Sequence, residues 1–479
     1  MPIPRPAAGG GHNGAQPSGE IRMMGKSLRS GVQIALLAAG LTVAGLTAPA
    51  AGADIKTLKF ANGPLSQRPD PFITGICVHF GIGGEYNYIP TKTAELVDEI
   101  GFDSFRDDLA WPVFDAPGTP PGVLRPTRLF DFMKLTKAKP LLILSHSNPA
   151  VDGGVKPMNE AGRTAYADFA VRAAAATRSS NPMFEIWNEW NLTGGQRPPW
   201  LVGAGVDSDP RAAAHYSALA RTTIAALRTT EPTTTLLSGA VGSDPGWQWT
   251  QAIVRDGAIK NASGLSVHLY NHCEPDVRTR NATDIIDRLG DLQSRLRAQT
   301  GADVPIYLTE FGWPTARRPC VITQTAAADN IAQVLLWSAA TPWMKGAWIY
   351  QLKDQGRSLD ELEENFGLYD YNYNPKPAAC AVREAIKLIK ASTTFRLERP
   401  FRDVFILQAT TPQGIRLVGW TTRAEAKGTL RLPNREPTRT KALCNAGPAP
   451  ASNTIALGPE PVIVDLDAAN VTIEVSQAP

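Results

Sequence analysis

Phe184-Glu185-Ile186-Trp187-Asn188-Glu189-Trp190-Asn191 and Tyr307-Leu308-Thr309-Glu310-Phe311-Gly312-Trp313-Pro314 share one plan. Each is a short apolar run that ends in a carboxylate between aromatic rings. Such runs, bounded by turn formers, read as buried strands. Similar runs recur at 73–80, 104–109, 140–145, 234–238, 265–270 and 346–350, which with 183–187 and 305–309 makes eight. Helix-like stretches lie between them, among them 91–100, 161–178, 212–228, 282–298 and 325–340. Strand–helix alternation predicts a parallel sheet with crossover helices, and eight units predict a (β/α)8 TIM barrel. A doubly wound open sheet is the weaker reading, because no glycine-rich phosphate loop follows the first strand. In the barrel, Glu189 and Glu310 end strands four and seven, on the rim where barrel active sites are built.

After Lys390 the helical period stops. Short alternating segments follow at 405–409, 415–420, 428–432, 462–465 and 471–475, separated by Gly, Pro and Asn. They predict a small C-terminal β-sandwich domain over 393–479, with an edge completed by 55–60. The barrel domain is set at 54–392, and 1–53 as an N-terminal extension with a signal peptide. Lys26 and Arg29 precede an apolar stretch from Val32 to Leu46, and small residues follow as Ala48-Pro49-Ala50 and Ala51-Gly52-Ala53. This order is that of a secretory signal, so the mature chain is expected to be secreted or periplasmic, without stable membrane insertion.

The chain has 479 residues and a net charge of +3, and it lacks Lys/Arg-rich runs, which argues against a nucleic-acid partner. Five cysteines are compatible with disulfides in an exported protein. Cys273 and Cys320 follow strands six and seven, on neighbouring rim loops, and are expected to pair. No CxxC or His/Cys cluster suggests a metal site.

Two carboxylates beside a sugar bond can hydrolyse it, one as proton donor and one as nucleophile. Flanked by Trp187 and Trp190, Glu189 is expected in partly apolar surroundings, which suit the carboxylic acid that must keep its proton. Glu310 must instead stay charged, and Arg106 and Tyr270 are the expected donors around it. Asn188 suits a sugar 2-hydroxyl. No cofactor is needed, and the partner is a carbohydrate.

These residues resemble clan A of the glycoside hydrolases. Asn188-Glu189 and Glu310 look like its acid/base and nucleophile motifs, Phe105-Arg106 its strand-two arginine, and Val267-His268-Leu269-Tyr270 its strand-six His-x-Tyr. Trp348 resembles its strand-eight tryptophan, and His146 a histidine of family 5. The trailing β-domain is similar to that of family 39. The resemblance covers roughly 71–392 and implies a retaining hydrolase of β-type glycosidic bonds. His79, His146, Trp313 and Trp348 are expected to bind substrate. Asp107 and Asp108, more acidic than the clan's pattern, are further candidates for sugar hydroxyls. A non-catalytic polysaccharide-binding protein and a transglycosylase are the alternatives. Trp111, Trp190 and Trp200 are read as packing, and 361–364 as a solvated face.

Overall fold

The structure is a computed structural model. It describes residues 54–61, 72–81, 87–115, 127–192, 210–412, 414–423, 425–444, 452–467 and 470–477. The expected signal segment and Trp200 lie outside the described residues.

Eight parallel strands close into a barrel: β2 (Ile73–Cys77), β3 (Ser104–Ala110), β4 (Lys139–Ser145), β5 (Met183–Ile186), β6 (Leu236–Val241), β7 (Gly264–Leu269), β8 (Ile306–Phe311) and β9 (Met344–Ile349). Closure is made by β2 and β9, with Ile73 opposite Gly346 and Gly75 opposite Trp348. Almost every strand residue is buried, because helices cover the outside and side chains fill the inside, so these strands read as continuous apolar runs. Helices such as Glu160–Thr177, Pro210–Thr230 and Gln324–Ala340 form the outer ring. Three of them begin with an Asn or Thr cap, Asn159, Asn281 and Thr323, whose side-chain oxygen accepts a first-turn amide.

Trp348 departs from the expected substrate-binding role. It lies wholly buried inside the barrel with Tyr307, Leu141, Met183 and Leu237, and its Nε1 donates to Ser104 Oγ at 3.1 Å. Glycines make the room: a Cβ on Gly75 would come 2.1 Å from the Trp348 ring, and one on Gly346 2.6 Å. Tyr350, two residues on and on the same side of the chain, reaches the cleft in its place. Trp313 is also buried, packed near Phe311 with ring centroids 6.4 Å apart, and does not face the cleft.

The second module is a sandwich. One sheet runs β1-β17-β13-β15 and the other β10-β11-β12-β16-β14. Here β1 is Asp54–Ala61, β10 Thr394–Phe401, β11 Val404–Thr411, β12 Gly414–Thr421, β13 Gly428–Arg431, β14 Arg439–Ala442, β15 Thr454–Leu457, β16 Val462–Leu466 and β17 Asn470–Gln477. β1 pairs antiparallel with β17, Asp54 opposite Gln477, so 55–60 completes an edge of the sandwich as expected, and the barrel range of 54–392 is corrected to exclude 54–61. Two-residue alternation on β11 serves two cores. Val404 and Ile406 face the other sheet, while Phe405, Leu407 and Ala409 join the core shared with the barrel.

The modules are fastened as well as packed. Cys380 on helix Pro377–Ala391 bonds to Cys444, with a Cα separation of 5.9 Å. Gln333 Nε2 donates to the carbonyls of Thr421 at 3.2 Å and Pro459 at 2.7 Å. Among the described residues, no helix is long and apolar enough to cross a membrane.

Candidate active site

The C-terminal rim of the barrel opens into a cleft of about 530 Å³. Its lining includes Cys77, His79, Arg106, Asp108, His146, Asn188, Glu189, Tyr270, Glu310 and Tyr350. Glu189, Glu310, Asn188, Arg106, Tyr270, His79 and His146 are thus brought together as expected for one site. His268 stands just beneath, buried, and hydrogen-bonded to its members. Trp313 and Trp348 are not among them.

The chain leaves β5 by an unusual path. Trp187 and Glu189 both take left-handed backbone, with φ of 66° and 47°, a conformation that L side chains adopt at a cost of about 1–3 kcal/mol each. Neighbouring strands hold the turn, since Trp187 N donates to Leu144 O at 3.2 Å and Glu189 N to Ala240 O at 2.9 Å. The twist sends the Trp187 and Trp190 rings into the core, where they pack on one another at 5.0 Å. They do not line the cleft, so the apolar surroundings expected for Glu189 are not those it has. Its side chain is 26% exposed, against 12% for Glu310, and its nearest polar partner is His268.

Arg106 organises the floor. Its Nε donates to Glu185 Oε2 at 2.7 Å, Nη1 to Glu310 Oε1 at 2.5 Å, and Nη2 to Asn188 Oδ1 at 2.8 Å. Nη2 also lies 3.2 Å from His268 Nε2. A guanidinium offers only donors, so the neutral His268 ring must present a bare Nε2 to it. Nδ1 then carries the hydrogen and donates to Glu189 Oε1 at 2.9 Å. Burial favours the uncharged ring, but the Glu310 charge and the Glu189 hydrogen bond prevail and raise the His268 pKa.

Glu310 is set up to stay ionised. Burial pushes its pKa up, yet His268 in its protonated form and the Arg106 guanidinium, with hydrogen bonds from Tyr270 and Arg106, hold it at about 2. Tyr270 Oη donates to Glu310 Oε2 at 2.8 Å. The phenol keeps its proton, because burial and the Glu310 charge push its own pKa well above 10.

Glu189, His268 and Glu310 each bring a ligand atom within 4.8 Å of the others, a grouping that a metal ion also uses. Here hydrogen bonds already employ these atoms, and the Arg106 guanidinium sits against Glu310. The donor set therefore fits a carboxylate pair better than a cation.

Glu185 is the member that sequence reading passed over. It is fully buried, and its Oε1 accepts from Thr309 Oγ1 at 2.8 Å. The only sequence signal was a charged residue in the middle of a buried strand. Tyr350, Gln355, Glu363 and Phe366, all from the segment after β9, also went unnamed as cleft residues. Cys273 and Cys320 are bonded on the neighbouring rim loops, with a Cα separation of 5.2 Å, and Cys77 is a buried free thiol.

Comparisons with solved structures place the fold. A family 39 glycoside hydrolase from the gut symbiont Bacteroides cellulosilyticus WH2 superposes with a TM-score of 0.63 at 20% identity, over 83% of this chain and 81% of that one. A monomeric β-xylosidase from Caulobacter crescentus CB15 gives 0.54 at 14% identity, over 86% and 97%. A family 30 subfamily 8 xylanase from Clostridium acetobutylicum gives 0.50 at 13% identity, over 86% and 97%. No curated protein matches the sequence. The sequence pattern described as Cellulase (glycosyl hydrolase family 5) matches residues 73–341, more than half of the chain and seven of the eight barrel strands. This chain therefore belongs to glycosyl hydrolase family 5 and is a clan A glycoside hydrolase.

Proposed function

We propose that the protein is a retaining hydrolase of β-type glycosidic bonds in an oligosaccharide or polysaccharide. The observation that carries this reading is the spacing of the two carboxylates, one oxygen of each lying within 4.8 Å. So close an approach of the nearest oxygens favours a retaining pair, whose carboxyl groups stand about 5–5.5 Å apart, over an inverting pair, which leaves about 6.5–9.5 Å for a water molecule.

Glu310, ionised and largely shielded, attacks the anomeric carbon and forms a glycosyl-enzyme. Glu189, the more exposed of the pair, donates its proton to the leaving oxygen and then removes one from the incoming water. Arg106 and Tyr270 hold one Glu310 oxygen each, which aligns the nucleophile before substrate arrives. Because Asn188 Oδ1 accepts from Arg106, its amide hydrogens are turned to the cleft, where they meet the sugar 2-hydroxyl oxygen. Two disulfides support an oxidising destination outside the cytoplasm.

The test is intact mass after incubation with 2-deoxy-2-fluoro glycosides carrying good leaving groups. The expected result is a glycosyl adduct that maps to Glu310 and is lost in Glu310→Gln. An adduct on another residue, or undiminished turnover in Glu310→Gln, refutes the assignment.

A further inference from the structure

Beyond Arg106, strand β3 carries two carboxylates, Asp107 and Asp108, and their surroundings separate their roles. Asp107 is engaged by backbone amides. Its Oδ2 accepts from Phe80 N at 2.6 Å, and its Oδ1 from Gly81 N at 3.1 Å and Asp108 N at 2.7 Å. It pins the turn after β2, which packs so closely that a Cβ on Gly81 would lie 1.7 Å from the Asp108 carbonyl oxygen.

Asp108 is placed differently. It stands two residues from Arg106, so it projects from the same side of the strand, roughly 7 Å further along. It lines the cleft while being only 6% exposed. Its Oδ1 accepts from Ser145 Oγ at 2.5 Å, which fixes the carboxylate without consuming its remaining lone pairs. A buried carboxylate is costly unless its acceptors are met, and a sugar ring seated over Glu310 brings hydroxyl hydrogens to this position.

The charge around it is one-sided. Among the described lining residues, Asp108, Glu310 and Glu363 remain as acidic groups facing a sugar, because Glu189 holds the proton it donates and burial pushes the Asp107 pKa well up, against the single guanidinium of Arg106. That guanidinium is already shared among Glu185, Glu310, Asn188 and His268. His272 adds no charge near pH 7, because burial and Arg280 lower it to about 4. Glu363 stands exposed at the rim, where partial desolvation and the charges of Glu310 and Glu189 push its pKa up. An anionic sugar here would face like charge, and among the described lining residues no guanidinium or ammonium group is left unengaged to meet it, whereas hydroxyl groups find acceptors.

We propose that Asp108 anchors the sugar bound over Glu310 by accepting its hydroxyl hydrogens. With Glu363 it restricts the cleft to sugars that carry no carboxylate or sulfate. This inference rests on the glycosidase reading above.

The probes are matched pairs of 2,4-dinitrophenyl β-glycosides, glucoside against glucuronide and galactoside against galacturonide, together with soluble β-glucan, xylan and oligouronides. The wild-type protein is expected to favour the neutral member of its preferred pair by about 100-fold or more in kcat/KM, the scale of an uncompensated like-charge contact. Asp108→Asn keeps the size and the Ser145 acceptor but removes the charge. It is expected to raise KM for the neutral sugar about 10- to 100-fold, with a smaller change in kcat, and to narrow the neutral-to-uronide ratio. A uronide cleaved as well as its neutral partner overturns the charge argument and leaves the glycosidase reading standing. A variant with lower Tm and kcat but unchanged KM makes Asp108 a structural residue only. Turnover that survives Glu310→Gln, or none on any probe, strikes the underlying reading and this inference with it.

Discussion

Replacing Tyr270 by Phe removes one hydrogen bond and little else, so its effect can be worked out. The hydroxyl donates to Glu310 Oε2 at 2.8 Å, in a site where Glu310 is held at about 2. A hydrogen bond to a charged group contributes about 1.5–3 kcal/mol, and each pKa unit corresponds to about 1.4 kcal/mol. Losing it favours the protonated form, so Glu310 should rise by about one to two units. The nucleophile works only when ionised, so the acidic limb of kcat/KM should move upward by the same amount. At pH 7 Glu310 is ionised in both proteins, and the difference appears only on the acid side. The assay is a kcat/KM profile from about pH 3 to 8, with circular dichroism confirming the fold at each point. The wild type should stay flat toward the low end, while Tyr270→Phe turns down first. The same shift has a stability signature. A depressed carboxylate stabilises the fold above its unfolded value near 4.5, and that contribution is lost as pH falls through about 2. The variant should lose its share at a higher pH. An acidic limb that does not move would refute the claim that Tyr270 tunes the nucleophile.

Two further outcomes test the frame. Glu185→Ala should cost about 3–5 kcal/mol in urea unfolding and lower kcat more than it changes KM, because it strips a buried partner from Arg106; a loss under about 0.5 kcal/mol would mean that Glu310 alone compensates the guanidinium. Replacing Cys380 and Cys444 together by Ser should cost about 2–4 kcal/mol, since the bond spans a sequence separation of 64, and an unchanged unfolding midpoint would contradict the fastening role given to it.

Much of the barrel was legible because buried parallel strands are apolar runs with turn formers at their ends. All eight barrel strands appear, although the fifth runs Leu236–Val241 rather than 234–238. Gly239 and Ala240, with φ of 127° and 40°, look like strand breakers in sequence and are part of the strand in space. Strands β10, β14 and β15 were missed because solvent-facing residues such as Arg396, Arg439 and Thr454 hide the alternation. In the site, the paired glutamates could be read from their position at strand ends. The Arg106–Glu185 pair could not, since the two residues lie on different strands and meet only when the barrel closes. The substrate-binding role expected of Trp348 falls to Tyr350 for a simpler reason. Both positions face inward, and what decides between floor and cleft is which of them finds glycines beneath its ring.

The pairing of β1 with β17 has a consequence for how this molecule is made. Residues 54–61 leave the ribosome more than 400 residues ahead of their partners at 470–477. Until then the early strand has no sheet to join, and its exposed amides are open to mispairing. Lys56 and Lys59 add charge to this edge strand, a feature that discourages association. The late pairing acts as a completeness check: a product that stops short of residue 470 leaves β1 unpaired and one sheet of the sandwich unfinished. Because the other sheet packs its aromatic face on the barrel helices, such a product is expected to be caught by proteases as a whole rather than to persist as a bare catalytic barrel.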